Sequence, residues 1–206
     1  DEKLPVASAE GPATGPVTIT VPRPRLWSPK QPFLYTLTVT LSNGERPVDE
    51  VLSYVGLRKI SIGRTTDGVA RLLVNNEPLF QYGFLDQGFW PDGLHTAPTD
   101  EAIRFDIAAT LGIGMNLARK HIKIEPERWY YWADKLGLLV WQDMPSGKND
   151  TPDARANFAR EWQRIIDARF NHPSIVMWVP INEGWGQPDR AGTRELAELT
   201  ARYDPT

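Results

Sequence analysis

Two adjacent residues, Asn182 and Glu183, follow directly on an apolar run and could present an amide and a carboxyl group to one ligand. The run, residues 175–181, has no polar alternation, which is typical of a strand buried on both faces of a parallel sheet. Successive side chains of a regular strand point to opposite faces. The two groups can therefore converge only where the strand ends, and Gly184 and Gly186 permit the chain to turn there.

A carboxyl group at this turn, close to Trp178 and Trp185, is expected to lose water and to resist ionisation. A general acid needs that property near neutral pH. In the alternative interpretation Glu183 only caps the next helix or pairs with an arginine, since structural ion pairs also perturb carboxyl groups. Local chemistry alone leaves both interpretations open.

Polar residues also gather where the three preceding strands of the same region are predicted to end: Asp86 and Gln87, Arg119 and His121, Gln142 and Asp143. The carboxyl ends of parallel strands meet at one edge of a sheet, where α/β proteins bind their ligands. The sequence therefore predicts a site at this edge. Each group also has a structural alternative, because Arg119 could neutralise a buried carboxylate and Asp143 could cap the following loop.

Strand and helix patterns alternate four times in the second part of the chain. A first strand is predicted near residues 80–83, and helices are predicted from Thr99 to Gly112 and over about 125–137, 154–170 and 189–203. This alternation predicts a parallel sheet wrapped by helices. The Gly-rich turn of an open doubly wound sheet is missing after the first strand, which favours a closed (β/α)8 TIM barrel. Such a barrel needs about 250 residues, so a chain of 206 would hold roughly its N-terminal half.

The first part of the chain has the short, regularly spaced strands of a β-sandwich. Strands are predicted at 17–21, 36–41, about 49–55 and 57–62, with Asn43-Gly44 as a hairpin turn. These are too few to close a sandwich. The predicted fold class is therefore multidomain β plus α/β, with part of an immunoglobulin-like β-sandwich (residues 1–64) before the barrel half (residues 65–206).

Composition excludes several classes of function. The net charge is −3 without a basic run, which argues against a nucleic-acid or anionic-membrane partner. The absence of cysteine excludes disulfides, zinc-thiolate sites and cysteine nucleophiles. The chain has no apolar run of transmembrane length and no signal peptide at its start. Eight Trp and six Tyr supply flat surfaces that could stack on sugar rings.

Several motifs closely resemble glycoside hydrolase family 2, which contains β-galactosidases, β-glucuronidases and β-mannosidases. Asn-His-Pro-Ser-Ile at 171–175, a Trp-bearing strand and Asn-Glu-Gly at 182–184 resemble its acid/base signature. Trp-Ser-Pro-x-x-Pro-x-Leu-Tyr at 27–35 and Val-Gly-Leu-Arg-Lys-Ile at 55–60 resemble the sandwich domain that precedes its barrel. Asn-x-x-Arg followed by His at 116–121 resembles a motif on its second barrel strand, although the family usually spaces the histidine one residue further on.

The resemblance implies hydrolysis of O-glycosidic bonds by a retaining, β-galactosidase-like mechanism with a carbohydrate substrate. In that mechanism one carboxylic acid protonates the leaving oxygen while a second carboxylate attacks the anomeric carbon. The resemblance implies Glu183 as the acid/base and places a substrate-binding set around it: Asn182, Arg119, His121, Asp143 and Trp185. The family's nucleophile would lie beyond Thr206, so we expect this chain alone to be inactive.

Two other classes stay open at this stage. One is a noncatalytic carbohydrate-binding protein on a degenerate barrel. The other is a different barrel hydrolase that uses an Asn-Glu pair, such as a β-mannanase, although such enzymes usually lack the preceding sandwich. No cofactor is predicted. No metal is predicted either, because the ligand set of the Mg²⁺ that some family members hold cannot be matched in this sequence.

Overall fold

The computed structural model describes residues 5–145, 147–184 and 186–206. Within these ranges the elements in chain order are β1 (Tyr35–Asn43), β2 (Arg46–Val55), β3 (Ile60–Arg64), β4 (Ala70–Val74), β5 (Glu77–Pro78), β6 (Gly83–Asp86), α1 (Asp100–Gly112), β7 (Leu117–Lys120), α2 (Glu127–Leu136), β8 (Leu139–Asp143), α3 (Pro152–Arg169), β9 (Ile175–Val179) and α4 (Arg190–Tyr203). They form an antiparallel β1-β2 hairpin, a small β3-β4-β5 sheet and a parallel sheet of order β6-β7-β8-β9.

The N-terminal region is only partly as predicted. The hairpin is present and turns at Gly44, whose positive φ of 61° suits a residue without Cβ. The predicted strand at 17–21 is wrong, because residues 17–20 are exposed and lie outside any strand. Alternating β-branched residues form a stable strand only when a neighbour pairs with them. The strand predicted at 57–62 begins only at Ile60 and pairs with β4, not with the hairpin.

The parallel sheet contains the four strands that the alternating pattern predicts, joined by α1, α2 and α3. Its first strand lies three residues later than predicted, because β6 begins at Gly83 and Phe80 is 82% exposed outside it. At Gly83 an added Cβ would collide with the carbonyl oxygen of Leu117. A glycine is therefore needed where the backbone of β6 approaches β7 so closely.

The helix ends follow the sequence signals. Thr99 caps α1 by accepting a hydrogen bond from the N–H of Ala102 (3.1 Å), as predicted. Gly137 ends α2 in the left-handed conformation (φ 87°). Thr151 and Asp189 accept analogous hydrogen bonds at the starts of α3 and α4. These caps fix the residues at which the helices begin or end, and so the points at which the chain passes between helix and strand.

Strand β9 is shorter and less regular than predicted. It ends at Val179, and a bulge at Val176 interrupts its pairing with β8. Beyond the bulge Trp178 pairs with Gln142 and Val179 pairs with Asp143. Because one extra residue shifts the alternation of side chains, Trp178 packs edge-on against Trp162 of α3 and donates to Asp204 (2.7 Å). It lies on the helix-covered face of the sheet.

Each face of the parallel sheet has its own buried apolar cluster. On the helix side the cluster contains Ile103, Ile107, Ala118, Trp129, Val140 and Ile175 among its members. On the other face Trp27, which is fully buried, packs against Leu117 and Leu139. The alternation of β7 and β8 accounts for this division, since residues one apart along a strand point to opposite faces.

Asp134 of α2 connects the hairpin to the parallel sheet. Its side chain has no exposed surface and accepts from the N–H of Ser174 (3.0 Å) and the hydroxyl of Tyr54 on β2 (2.8 Å), and lies 2.6 Å from Nδ1 of His172. The indole of Trp27 donates to the backbone oxygen of the same residue (2.8 Å). A buried carboxylate is stable only with such donors, so Asp134 ties together the hairpin, α2 and the start of β9.

His172 supplies the charge that balances this carboxylate. Its burial alone would lower the pKa of the imidazole, but hydrogen bonds and charge attraction from Asp134 and from Glu127 (Nε2 to Oε2, 3.0 Å) raise it above the usual value. The imidazolium form is therefore favoured in the folded state. Arg169 lies beside the same Glu127 (3.1 Å).

Because the pKa of His172 is higher in the folded than in the unfolded protein, protonation of this imidazole stabilises the folded state. This stabilisation is complete below the unfolded pKa of about 6.5 and is lost as pH rises through the folded pKa. We expect His172→Gln to weaken hydrogen-exchange protection of residues 171–176 strongly at pH 6, and progressively less, relative to wild type, as pH increases. Exchange measured by mass spectrometry at matched pH would show this. His95→Gln, which replaces an exposed imidazole, is the control, and a wild-type-to-variant difference independent of pH would contradict the prediction.

Candidate active site

Three predicted site residues meet at the carboxyl ends of β7, β8 and β9. Arg119 donates from Nε and Nη2 to the two carboxylate oxygens of Asp143 (2.9 and 2.8 Å), and Nη2 also donates to Oδ1 of Asn182 (2.9 Å). This is the paired, planar geometry in which arginine binds a carboxylate best. The structure therefore brings together residues that are 24 and 63 positions apart in the chain.

The charge of Asp143 determines this arrangement. Asp143 has no exposed surface and Asn182 is 6% exposed. The hydrogen bond to Asp143 raises the pKa of Arg119 most, and the nearby charge of Glu183 raises it further. The N–H of Ile122 also points at Oδ2 of Asp143, at 3.4 Å. Arg119 does neutralise a buried carboxylate, as its structural alternative proposed, and it contacts Asn182 at the same time.

Glu183 differs from the expectation in one respect, because its side chain is exposed. The expected loss of water beside Trp178 is wrong, since the bulge in β9 directs that indole towards α3 and Asp204. Glu183 itself has a positive φ of 51°, and Gly184 follows with 77°. Non-glycine residues in this region are uncommon and cost of order 1 kcal/mol or more, so the surrounding contacts must hold the turn in place.

The loops beyond β8 and β9 contact each other next to Glu183. Asn149 donates to the backbone oxygen of Gly186 (3.2 Å), and a Cβ added to Gly186 would collide with the oxygen of Gly147. Gly186 is therefore required both by its positive φ of 66° and by this close approach. The predicted substrate-binding residue Trp185 lies outside the described residues.

His121, the remaining predicted residue, lies directly after β7. It is 8% exposed, and its Nδ1 lies 3.1 Å from the amide nitrogen of Gln87. Its Nε2 is buried and has no hydrogen-bond partner among the described residues. A buried polar atom left in this state costs about 1–3 kcal/mol.

An ionic cluster on the helix side of β7 was missed by the sequence analysis. Lys120 is fully buried and contacts Asp86 (2.6 Å) and Glu125 (2.5 Å), and Lys123 contacts the same Glu125 (3.2 Å). Two adjacent basic residues, Arg119 and Lys120, on a strand of a buried sheet were the available signal. They must point to opposite faces, so each face needed an acidic partner.

A second set of hydrogen bonds fixes the loop between β7 and α2. Gln142 donates to the oxygen of Lys123 (2.8 Å) and accepts from the hydroxyl of Tyr130 (2.5 Å). That hydroxyl accepts from the N–H of Glu125 (3.2 Å), and Arg169 donates to the oxygen of Glu125 (3.2 Å). The loop that begins with His121 is thus held along its length before any ligand binds.

The described ranges lack two features that would point to other functions. They contain no group of three or more His, Asp or Glu side chains arranged to hold a metal ion. None of their helices is long and apolar enough to cross a membrane. A cavity of about 540 Å³ lies away from the strand ends, between the hairpin, α2 and the start of β9, and is lined by Tyr54, Tyr131, His172 and their neighbours.

Comparison with known proteins identifies relatives along most of the chain. Residues 2–58 match the family model of glycosyl hydrolases family 2. A putative β-glucuronidase of Formosa agariphila is 30% identical over 199 residues, 90% of this chain and 23% of that protein. A β-galactosidase of Pectobacterium atrosepticum is 30% identical over 198 residues, 90% of this chain and 18% of that protein.

Solved structures show the same similarity. An FMN-binding β-glucuronidase from Faecalibacterium prausnitzii L2-6 has a TM-score of 0.84 and 28% identity over 98% of this chain and 32% of its own. A β-galacturonidase from Eisenbergiella tayi bound to galacturonate has a TM-score of 0.75 and 25% identity, over 92% of this chain and 34% of its own. The chain thus spans about a third or less of these relatives.

The pairing of Arg119 with Asp143 predicts a strong energetic coupling. Arg119→Met would leave a buried carboxylate without its cation, which typically costs about 3–5 kcal/mol. We expect the double variant Arg119→Met/Asp143→Leu to lose less stability than the sum of the two single variants, with a coupling of about 1–3 kcal/mol in urea unfolding of the full-length protein that contains this chain. The exposed pair Arg194–Glu198 (2.8 Å) is the control, with an expected coupling below about 0.5 kcal/mol. Additive losses at the buried pair would contradict the prediction.

Proposed function

Because the chain belongs to glycoside hydrolase family 2, we propose that the protein hydrolyses β-glycosides with retention of configuration. The observation that carries the proposal is the arrangement of the strand ends, where Arg119 connects Asp143 to Asn182 immediately before Glu183. This is the edge at which barrel enzymes bind their substrates.

Glu183 is the proposed general acid and base. Its exposure lets a glycosidic oxygen approach the carboxyl group, and its left-handed backbone turns it away from the direction of β9. In the first step Glu183 gives its proton to the departing oxygen while a carboxylate nucleophile bonds to the anomeric carbon. In the second step Glu183 takes a proton from water, which displaces the nucleophile and restores both groups. The nucleophile is proposed to lie outside these 206 residues.

Asn182 is the proposed partner of a sugar hydroxyl, the 2-hydroxyl by family resemblance. Its Oδ1 accepts from Arg119, which fixes the orientation of the amide and leaves the NH₂ group to donate. A neutral donor held in this orientation would bind and orient that hydroxyl without reorganisation during the reaction. In this scheme Asp143 holds Arg119 rather than substrate, His121 contacts the sugar, and Trp185 remains a proposed substrate-binding residue.

The fold proposal accompanies the function. We infer that β1 and β2 belong to an immunoglobulin-like sandwich and that β6–β9 with their helices form the N-terminal half of an eightfold barrel, with the boundary near residue 65. The match of residues 2–58 to the family model agrees with the first part, and the parallel order β6-β7-β8-β9 agrees with the second. The same match weighs against a β-mannanase-like enzyme. The relatives named here act on different sugars by their names, so the sugar is not assigned.

A noncatalytic sugar-binding protein on the same fold is the second candidate, and Glu183→Gln distinguishes the two. In the full-length protein that contains this chain, we expect the variant to slow hydrolysis of a glycoside with an alkyl leaving group by about 10²–10⁴-fold, the usual contribution of general acid–base catalysis. With an activated aryl glycoside, the first step, in which the enzyme becomes glycosylated, should slow much less than with the alkyl glycoside, because the aryl leaving group needs little protonation.

Pre-steady-state and steady-state rates on matched alkyl and aryl glycosides measure these effects. The control is Glu195→Gln, the same substitution at an exposed position of α4. Equal losses on both substrates would argue against the acid role, and binding without turnover in the wild type would favour the noncatalytic candidate.

The open edges of the parallel sheet predict how these 206 residues behave alone. Among the described strands β6 and β9 each have one neighbour, and Phe84 and Leu85 of β6 are 39% and 50% exposed. Each large apolar side chain that becomes buried contributes about 1.5–3 kcal/mol, and unpaired strands are templates for association. We expect the isolated chain to self-associate, to hydrolyse no glycoside and to sediment as a broad distribution in analytical ultracentrifugation.

A matched pair of variants distinguishes association through the open strand edge from nonspecific association of exposed apolar residues. Leu85→Lys places a charge on the open edge and should reduce association, whereas Leu52→Lys, at a 69% exposed position of β2, should have little effect. A monodisperse isolated chain with a sharp, cooperative unfolding transition would contradict the barrel-half interpretation.

A further inference from the structure

The cavity between the hairpin, α2 and the start of β9 has the size and the position of a ligand pocket. Its volume of about 540 Å³ lies within the range of roughly 300–1,000 Å³ that small-molecule pockets occupy, and such pockets occur preferentially between structural units. It lies at the opposite end of β9 from Glu183, because His172 on its wall precedes this strand of five residues and Glu183 follows it. A strand of that length spans about 16 Å, so the proposed hydrolysis does not account for the cavity.

Two tyrosine rings form the aromatic part of the cavity wall, and both are fixed in place. The rings of Tyr54 and Tyr131 meet edge to face with their centroids 5.6 Å apart, and Tyr131 makes a second such contact with Trp132 (5.1 Å). The hydroxyl of Tyr54 also donates to Asp134 (2.8 Å). Rings held in this way lose little conformational freedom when a ligand binds. They offer a flat surface to a ligand ring that is apolar on its face and polar at its rim.

The polar part of the wall offers both donors and acceptors. Ser53, Arg128 and Asn171 line the cavity with exposed side chains, so a ligand can replace the water that they bind. Arg128 is held by Asp100 through Nε (2.6 Å), and its guanidinium has further donors. The carboxylate of Glu127, whose side chain is 58% exposed, has further lone pairs to accept with. A hydroxyl group both donates and accepts, and this mixed set suits several hydroxyl groups on one ligand.

The charges around the cavity balance, which distinguishes between classes of ligand. Three cationic and three anionic side chains lie in its wall or contact it directly: Arg128, Arg169 and the imidazolium of His172, and Asp100, Glu127 and Asp134. A ligand with a net charge would add a charge that nothing in the wall balances. An uncharged ligand with several hydroxyl groups can form charge-assisted hydrogen bonds with groups of both signs.

We infer that this cavity is a binding site for an uncharged saccharide. The ring of Tyr131 packs against the face of a sugar ring, and Ser53, Glu127, Arg128 and Asn171 bind its hydroxyl groups. The inference does not rest on the proposed function, because a protein that binds sugars without cleaving them could use the same cavity.

Hydrogen exchange measured by mass spectrometry locates this binding without reference to activity. The full-length protein that contains this chain carries Glu183→Gln, so that the probes are not consumed. The probes are lactose, cellobiose, xylobiose and mannobiose, and digalacturonic acid is the charged comparison. The start of α2 has no side-chain cap, so its first amides are open to exchange.

We expect at least one of the four neutral disaccharides to slow exchange several-fold in peptides that cover residues 127–131 and 171–174, and digalacturonic acid to have little effect. If none of the four slows exchange there, or if digalacturonic acid slows it equally, the inference is overturned.

A matched pair of substitutions on the hairpin tests whether the ligand lies in the cavity. Ser53→Trp adds an indole at an exposed position of the cavity wall and should abolish the slowing. Ser42→Trp, the same change at an exposed position of β1 outside the cavity wall, should leave it intact. Slowing that persists in Ser53→Trp would overturn the proposed location.

Two further variants test the contacts through the affinity for the disaccharide that protects best, measured by calorimetry. Tyr131→Ala should weaken binding about tenfold, as expected for the loss of a fixed aromatic contact, whereas Tyr82→Ala, at a tyrosine outside the cavity wall that is 52% exposed, should not. Asn171→Ala, at an exposed position, should weaken binding several-fold and remains informative if Tyr131→Ala fails to fold. Unchanged affinity in Asn171→Ala, or a crystal structure of the full-length protein in which another of its segments fills the cavity, would overturn the inference.

Discussion

The carboxylate of Asp143 has no exposed surface, and its charge dictates the arrangement around it. Removing such a group from water costs several kcal/mol unless a cation and further donors surround it. Arg119 supplies both through two parallel hydrogen bonds, and the same guanidinium then reaches Asn182. The ends of β7, β8 and β9 are thereby linked by one buried charge, and the position of Glu183 follows from that link because it is the next residue in the chain.

The opposite face of β7 repeats the same principle with different residues. Lys120 is buried between Asp86 and Glu125, above the ring of Trp129 (4.8 Å), and the loop after β7 is bound by Gln142, Tyr130 and Arg169. Burial raises the pKa of Tyr130, which keeps its hydroxyl protonated as the donor to Gln142. Groups fixed in this way need no reorganisation when a ligand arrives, which is the condition for electrostatic stabilisation of a transition state.

The sequence predicted the features that depend on local patterns and could not predict those that depend on partners. The helix caps at Thr99 and Gly137, the alternation of strands and helices, and the polar residues at the strand ends are written in short stretches of sequence. The false strand at 17–21 has the right pattern but no neighbour among the described residues. The exposure of Glu183 and the role of Asp134 depend on contacts between residues far apart in the chain. Such contacts cannot be predicted from local patterns in a single sequence.

The bulge at Val176 has a consequence for how the chain can change in length. Side chains along β9 alternate between the two faces of the sheet, and the bulge adds one residue to this alternation before Trp178. A deletion that removed the bulge would turn Trp178 towards the strand-end cluster and Val179 into the space beside Trp162. An isopropyl group would then replace an indole on the helix-covered face, and an indole would replace an isopropyl group on the other. A substitution in β9 changes one side chain, whereas an insertion or deletion there reverses the face of every residue beyond it. The loops outside the sheet impose no such register on the chain.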